Sequence, residues 1–273
     1  FSFMSRFRLQ QFSLEQNLAG MKICSDSLLF GAMIPLAGAQ RILDIGTGTG
    51  LLALMQAQKA LPNPSSTSSA VKITAIELTA EAAIEAEKNF KNSPWAESIE
   101  IIQQDIQSFS QQQKVNNNIQ PYDLIISNPP FFEDHSRTQA GNELRNIARH
   151  TDTLSYAQLC KAMSNLLAMN GKAYVLIPTA AIKVFLSTAL TSKLVVNEII
   201  HISESIKHPA KVAALQLTHM SANEVVNEVV NEVVNESTYI RVATRTLYKF
   251  GENKIHTDEV KEYLTPFLLR YAK

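Results

Sequence analysis

Asn128-Pro129-Pro130-Phe131 is the stretch of this chain whose residue types and order best suit chemistry. An amide or exocyclic NH2 is a poor nucleophile, because its lone pair is delocalised into the adjoining π system. Acceptors on its two N–H bonds, the Asn128 side-chain carbonyl and the Pro129 backbone carbonyl, draw such a nitrogen towards sp3 and aim its lone pair at an electrophile. Proline lacks an N–H, which frees its carbonyl from ordinary ladder pairing. Phe131 adds a ring able to stack on the planar group that carries the amine, as aromatic side chains do with unstacked bases. The same residues also make a plain turn after a strand, since Asn-Pro and Pro-Pro punctuate loops. The surrounding elements decide between the two readings.

The run Tyr122-Asp123-Leu124-Ile125-Ile126-Ser127 reads as a short buried strand bounded by prolines. A proline holds the residue before it extended, so Asn128 is presented at the strand's carboxyl end, where open α/β sheets bind ligands. Upstream, Arg41 to Ile45 is a strand that runs directly into Gly46-Thr47-Gly48-Thr49-Gly50 and a helix over Leu51 to Lys59. Alternate glycines allow a tight turn and let backbone N–H groups approach a ligand at a helix N-terminus. Asp44, two residues ahead of the turn, suits a cationic ammonium or sulfonium ligand better than a pyrophosphate. The strand Val71 to Glu77 ends in an acid placed to accept from ribose hydroxyls of an adenosyl group. The strand Ile99 to Asp105 ends in another, where an adenine amino group is within reach. Capping or a solvated charge explains Glu77 by itself; the succession of glycine loop, Glu77, Asp105 and Asn128 is harder to reach by chance.

These motifs resemble the amino-methylating class of S-adenosylmethionine-dependent methyltransferases, and within it the bacterial tRNA1(Val) adenine-37 N6-methyltransferase family. The likeness extends to Met21-Lys22-Ile23-Cys24-Ser25-Asp26, to Asn92-Ser93-Pro94-Trp95-Ala96-Glu97 and to Ala148-Arg149-His150-Thr151; it spans most of residues 7 to 180 and fades beyond. That family more often has tyrosine where this chain has Phe131, so stacking is kept and a phenolic hydroxyl is not. The resemblance implies S-adenosylmethionine as cofactor, with Gly46, Gly48 and Gly50 around its methionine end, Asp44 ahead of them, Glu77 at its ribose and Asp105 at its adenine. It implies that Asn128, Pro129 and Phe131 hold the target base. Lys22 and Asp26 belong to the upstream motif and close over the cofactor, while N-capping of the helix Ser27 to Met33 is an equal reading of Asp26. Methyl transfer of this kind needs no metal and no covalent enzyme intermediate; orientation and desolvation carry the rate.

The expected fold is an α/β, Rossmann-like class I methyltransferase: a seven-stranded, mostly parallel sheet, antiparallel in its last strand, with helices on both faces. Residues 1–36 are expected to form an N-terminal extension and helix contributing to the cleft, and 37–273 the methyltransferase domain. Residues 223–236, three copies of Asn-Glu-Val-Val and a final Asn-Glu, read as a low-complexity loop insertion. The segments Tyr156 to Met169, Ala180 to Ser192 and His256 to Tyr271 read as further helices.

With 273 residues, 45% hydrophobic and 18% charged, the chain can bury a sizeable core. Lys plus Arg equals Asp plus Glu at 25 each, so any nucleic-acid surface is local. The region from 132 to 151 supplies candidates for phosphate contact in Arg137, Arg145, Arg149 and His150, and Arg8 adds another in the N-terminal segment. Cys24 and Cys160 stand far apart, which suits a reducing compartment and argues against zinc or a disulfide framework. No run is apolar enough to span a bilayer and no signal peptide is visible, so a cytoplasmic monomer acting on tRNA is expected. Two other substrates fit the same chemistry, an adenine of another RNA such as rRNA and a protein glutamine amide of a release factor. Enzymes of the latter kind carry a helical substrate domain before the glycine loop, whereas 43 residues precede Asp44 here. A fold retained only to bind RNA would not need the acids and Asn128 together.

Overall fold

The computed structural model describes residues 6–18, 20, 22–61, 71–115, 120–129, 154–220, 240–249 and 254–272. Phe131, Arg137, Arg145, Arg149, His150 and the repeat at 223–236 lie outside the described residues.

A short antiparallel hairpin, β1 (Arg6–Arg8) and β2 (Ser13–Glu15), precedes helix α1 (Ser25–Met33). The chain then alternates strand and helix: β3 (Arg41–Ile45), α2 (Leu51–Ala60), β4 (Lys72–Glu77), α3 (Ala80–Lys91), β5 (Ile99–Gln103), α4 (Ile106–Val115), β6 (Tyr122–Ser127). After it come α5 (Tyr156–Leu166), β7 (Leu167–Pro178), α6 (Ile182–Thr191), β8 (Leu194–Ser203), β9 (Val212–His219), β10 (Arg241–Thr246) and α7 (Asp258–Leu264). Strand order in the main sheet is β10-β8-β9-β7-β6-β3-β4-β5. Of the seven expected strands, the seventh in chain order, β9, is antiparallel to both neighbours, and the others are parallel. The sheet has an eighth strand as well. β10 pairs parallel to β8 at the edge, because its residues match that strand in an unbroken register from Arg241 opposite Glu198 to Thr246 opposite Ser203.

Alternation along the strands sorts apolar side chains to two faces. Ile42, Leu124, Ile126, Tyr174 and Leu176 pack under α1, α2, α3 and α7, together with Leu9, Phe12 and Leu14 of the N-terminal segment. Leu43, Ile45, Ile125, Val175 and Ile177 pack under α4, α5 and α6. The expected helix from Tyr156 to Met169 is shorter: α5 stops at Leu166, where Leu167 begins pairing with Tyr122, and Asn170-Gly171 lies within an irregular stretch of β7 instead of stopping a helix. The expected C-terminal helix is likewise reduced to α7, since His256 is taken up in a bridge with Tyr248.

Candidate active site

Central strand β3 has β4 on one side and β6 on the other, so the helices that follow β3 and β6 leave to opposite faces. A crevice opens at the carboxyl ends of strands at such a reversal. Ile45 is paired with Ser127, and the buried Ser127 hydroxyl donates to the Ile45 carbonyl at 2.8 Å. This lock sets Gly46 beside Asn128, so the glycine turn and the tetrapeptide start from neighbouring strand ends. Ser127 was not expected to act in the site; a small polar residue closing an apolar run was the available signal.

The turn is held from the adjacent strand. Gly46 and Thr47 N–H groups donate to the Ile76 carbonyl at 2.8 and 3.1 Å, and the Gly48 N–H donates to Glu77 Oε2 at 3.0 Å. Gly46, Gly48 and Gly50 have φ of +69°, +56° and +85°, the left-handed region that favours glycine. A Cβ at Gly48 would meet nothing within 4 Å, whereas one at Gly50 would collide with the ring of Phe90. The turn is thus open on one side and packed on the other.

Asp44 is fully buried. Its Oδ2 accepts from the Thr47 hydroxyl at 2.6 Å and the Ala53 N–H at 3.1 Å, while its Oδ1 is buried without a hydrogen-bond partner among the described residues. Burial pushes its pKa up to about 7; the two hydrogen bonds oppose the shift and the nearby Glu77 charge adds to it. Asn128 Oδ1, just past the end of β6, is the corresponding atom: buried and without a hydrogen-bond partner among the described residues. Buried polar atoms are seldom left unsatisfied, and each costs about 1–3 kcal/mol when they are. An acceptor that waits for a cation and one that waits for an N–H donor therefore face the crevice from adjacent strands. An open glycine turn with two such acceptors fits an adenosyl sulfonium ligand.

The two remaining acids are part of the local scaffold as well. Glu77 Oε1 accepts from the Thr79 N–H and hydroxyl, both at 3.1 Å, and so secures the entry to α3. Asp105 Oδ2 accepts from the Ser108 N–H at 2.9 Å and its hydroxyl at 3.2 Å, capping α4. Each carboxylate retains further lone pairs at the carboxyl end of its strand.

The N-capping expected of Ser25 or Asp26 belongs to Cys24 instead. Cys24 is the extended residue before α1, its N–H lies 3.2 Å from Ser27 Oγ, and that hydroxyl donates to the Cys24 carbonyl at 2.8 Å. Asp26 is left half-buried with a pKa raised by burial first and by the Glu204 charge second, with Lys211 acting in the opposite sense. Its surroundings are therefore the loop between β8 and β9. Lys22 is exposed, beside Ile23, whose N–H donates to Gln16 Oε1 at 3.1 Å. Arg8 is exposed on β1.

Sequence reasoning also missed what fastens the N-terminal segment to the turn. Asn89, buried in α3, donates to the Thr49 carbonyl at 2.8 Å and the Glu15 carbonyl at 3.0 Å, and accepts from the Glu15 N–H at 2.8 Å. One turn earlier Glu85, buried and not merely a first-turn charge, accepts from the Asn17 and Leu18 N–H groups. The i,i+4 spacing of the two polar residues on an otherwise alanine-rich face was the readable sign. Trp95 of the Asn92–Glu97 stretch is structural: it is buried, donates to the Leu61 carbonyl at 2.9 Å and meets Phe12 edge-on at 5.8 Å.

Comparison with known proteins supplies a second line of evidence. The family model described as methyltransferase small domain matches residues 20–154. The chain is 41% identical over 175 residues to the tRNA1(Val) (adenine(37)-N6)-methyltransferase of Bacteroides fragilis, covering 64% of this chain and 68% of that one. It is 34% identical over 265 residues to the protein of the same name in Shewanella sediminis, covering 97% and 99%. Among solved structures it is similar to a predicted O-methyltransferase from Agrobacterium tumefaciens, with a TM-score of 0.57, 16% identity and coverage of 87% and 94%. A methyltransferase from Pyrococcus furiosus matches with a TM-score of 0.50, 18% identity and coverage of 77% and 90%. At such identities the structural likeness speaks to fold alone.

Proposed function

The chain belongs to the tRNA1(Val) (adenine(37)-N6)-methyltransferase family, on a class I methyltransferase fold, and from that membership we infer that it methylates the N6 amine of adenine in tRNA. The target we propose is the unpaired adenine at position 37 of tRNA1(Val). An adenine already unpaired in an anticodon loop costs less to extrude than one in a duplex. The observation that carries the reading is Asn128 Oδ1 at the carboxyl end of β6, buried without a hydrogen-bond partner among the described residues and beside the glycine turn that follows β3.

S-adenosylmethionine, when bound, supplies an electrophilic methyl on a cationic sulfur. Asp44 and the turn at Gly46, Gly48 and Gly50 hold its methionine end, Glu77 its ribose and Asp105 its adenine, with Lys22 and Asp26 at the upstream side. Asn128 Oδ1 and the Pro129 carbonyl accept the two N–H bonds of the adenine amine, which localises the lone pair on nitrogen. Bound there, the cofactor would supply the methyl and keep the S–C bonding electrons on sulfur, while Asn128 Oδ1 and the Pro129 carbonyl would hold the amine with its lone pair towards that methyl, and the methylated amine would give up one proton to solvent. Phe131 stacks the base, and Arg8, Arg137, Arg145, Arg149 and His150 contact the RNA backbone. Positioning provides the rate, since the residues that build the site offer no nucleophile. Among the described residues no group of three His, Cys, Asp or Glu side chains could hold a metal ion, and no helix is long and apolar enough to cross a membrane. The protein acts as a monomer in the cytoplasm.

The reading is tested with transcripts of tRNA1(Val). The unmodified transcript is expected to accept one methyl group per molecule, and a transcript with guanine at position 37 none. Equal methylation of both transcripts would move the target elsewhere.

A further inference from the structure

The carboxyl edge of the sheet does not end at Asn128. It continues over β7, β9, β8 and β10, and there a cleft of about 550 Å3 opens, lined by Thr179, His201, Ser203, Ser205, His208 and Thr246 among others. Neighbouring strands stand about 4.8 Å apart, so this cleft begins one strand beyond β6 and extends away from the cofactor side of the sheet. Among the described residues no carboxylate lines it. In a chain with as many acids as bases, a hydroxyl- and imidazole-lined cleft free of acids is a local departure from the average.

Its donors are partly spoken for among themselves. Ser203 Oγ and Thr246 Oγ1 are 3.2 Å apart across the β8–β10 pairing, and Thr179 donates to the Ala210 carbonyl at 3.0 Å. Ser205 Oγ lies 2.7 Å from His208 Nδ1, which leaves His208 Nε2 for a ligand. The His201 side chain has no hydrogen-bond partner among the described residues, while its backbone pairs within the sheet. Lys207 and Lys211 are exposed on the same β8–β9 loop as Glu204, and Glu204 and Lys211 both act on Asp26, so a rim carrying charges of both signs joins the cleft to the upstream side of the site. Ile206, 76% exposed, gives the lining one apolar surface beside the hydroxyls.

We propose that this cleft seats the sugar-phosphate backbone of the nucleotides flanking the target adenine, with His201, His208 and the Ser and Thr hydroxyls as donors to phosphate and Ile206 against a neighbouring ribose or base. Hydroxyls and imidazoles are donors that phosphate contacts use, and such contacts position the nucleic acid without reading its sequence. The cleft acts as a second point of purchase, so that RNA gripped there and at the tetrapeptide has one register on the carboxyl edge. The inference rests on tRNA being the substrate.

The test uses the full chain, with His201→Ala/His208→Ala as one variant and Lys207→Glu as a second at an exposed side chain, the fold of each being checked by thermal unfolding. Steady-state methyl transfer to unmodified tRNA1(Val) is measured alongside S-adenosylmethionine affinity by calorimetry. Both variants are expected to raise the KM for tRNA roughly tenfold, as loss of one or two charge-assisted hydrogen bonds does, with kcat and cofactor affinity unchanged. Lys207→Glu is also expected to flatten the dependence of KM on salt. Wild-type turnover with tRNA KM unchanged in both variants overturns the cleft inference alone. If the wild type methylates no tRNA, the functional reading falls and the cleft inference falls with it.

Discussion

Asp44 couples the cofactor end of the site to pH. Burial raises its folded-state pKa to about 7, above the ordinary carboxylate value, so the stability it contributes to the cofactor-free protein is complete in acid and is lost as pH rises through about 7. A cationic ligand favours the ionised form. Affinity for S-adenosylmethionine is therefore expected to rise between pH 5.5 and 7.5, and Asp44→Asn to abolish that rise; calorimetry across the range checks it, and a flat wild-type profile would contradict it. Asn128 governs a different step. Asn128→Ala is expected to lower kcat at least about 100-fold, as loss of one preorganised partner of the reacting group does, with cofactor affinity within about twofold. Equal loss of both would mean that Asn128 belongs to the cofactor and not to the amine. At this scale Asp44, the glycines and Asn128 were legible because each stands at the end of an apolar run. Of the two equal readings of Asp26, the capping one fell because the Cys24–Ser27 arrangement depends on backbone angles that residue types alone do not fix. Asp105 caps α4, a role that was not read from the sequence.

The turn between β3 and α2 separates two glycine functions. Gly50→Ala adds a side chain at φ +85° and drives it into Phe90, so it is expected to destabilise the protein by about 2–4 kcal/mol and to lower Tm. Gly48→Ala meets open space at φ +56°; it is expected to cost about 1 kcal/mol of stability but to weaken cofactor binding disproportionately, since its Cβ enters the crevice side. Thermal unfolding with and without S-adenosylmethionine distinguishes the two. Asn89→Ala strands the Thr49 and Glu15 groups that it pairs, and a loss of about 1–3 kcal/mol is expected. The alternating strands and helices were legible from β3 to β6, where apolar runs are bounded by glycines, prolines and acids. The boundary between α5 and β7 was not, because the pairing of Leu167 with Tyr122, 45 positions earlier in the chain, ends the helix before the Asn170-Gly171 signal. The eighth strand was not among the seven expected, since register with β8 is a tertiary fact.

On the scale of the whole molecule, zero net charge requires the RNA surface to be local, and the bases near the C-terminus do not provide it freely. Arg245 pairs with Glu259 at 3.0 Å, Lys249 with Asp258 at 3.2 Å, and Arg241 approaches Glu198 at 3.8 Å. The carboxyl edge is instead where the turn, the tetrapeptide and the acid-free cleft converge. Residues 223–236 stand between β9 and β10 in sequence and read as a low-complexity insertion, so their excision is expected to leave Tm unchanged and kcat/KM for tRNA within about twofold. The central claim is methylation of adenine N6 in tRNA. Its most direct measurement is transfer of labelled methyl from S-adenosylmethionine to total tRNA from a strain that lacks this protein, followed by digestion to nucleosides. Label recovered as N6-methyladenosine is the predicted result; label absent from RNA and recovered in protein glutamine would contradict it.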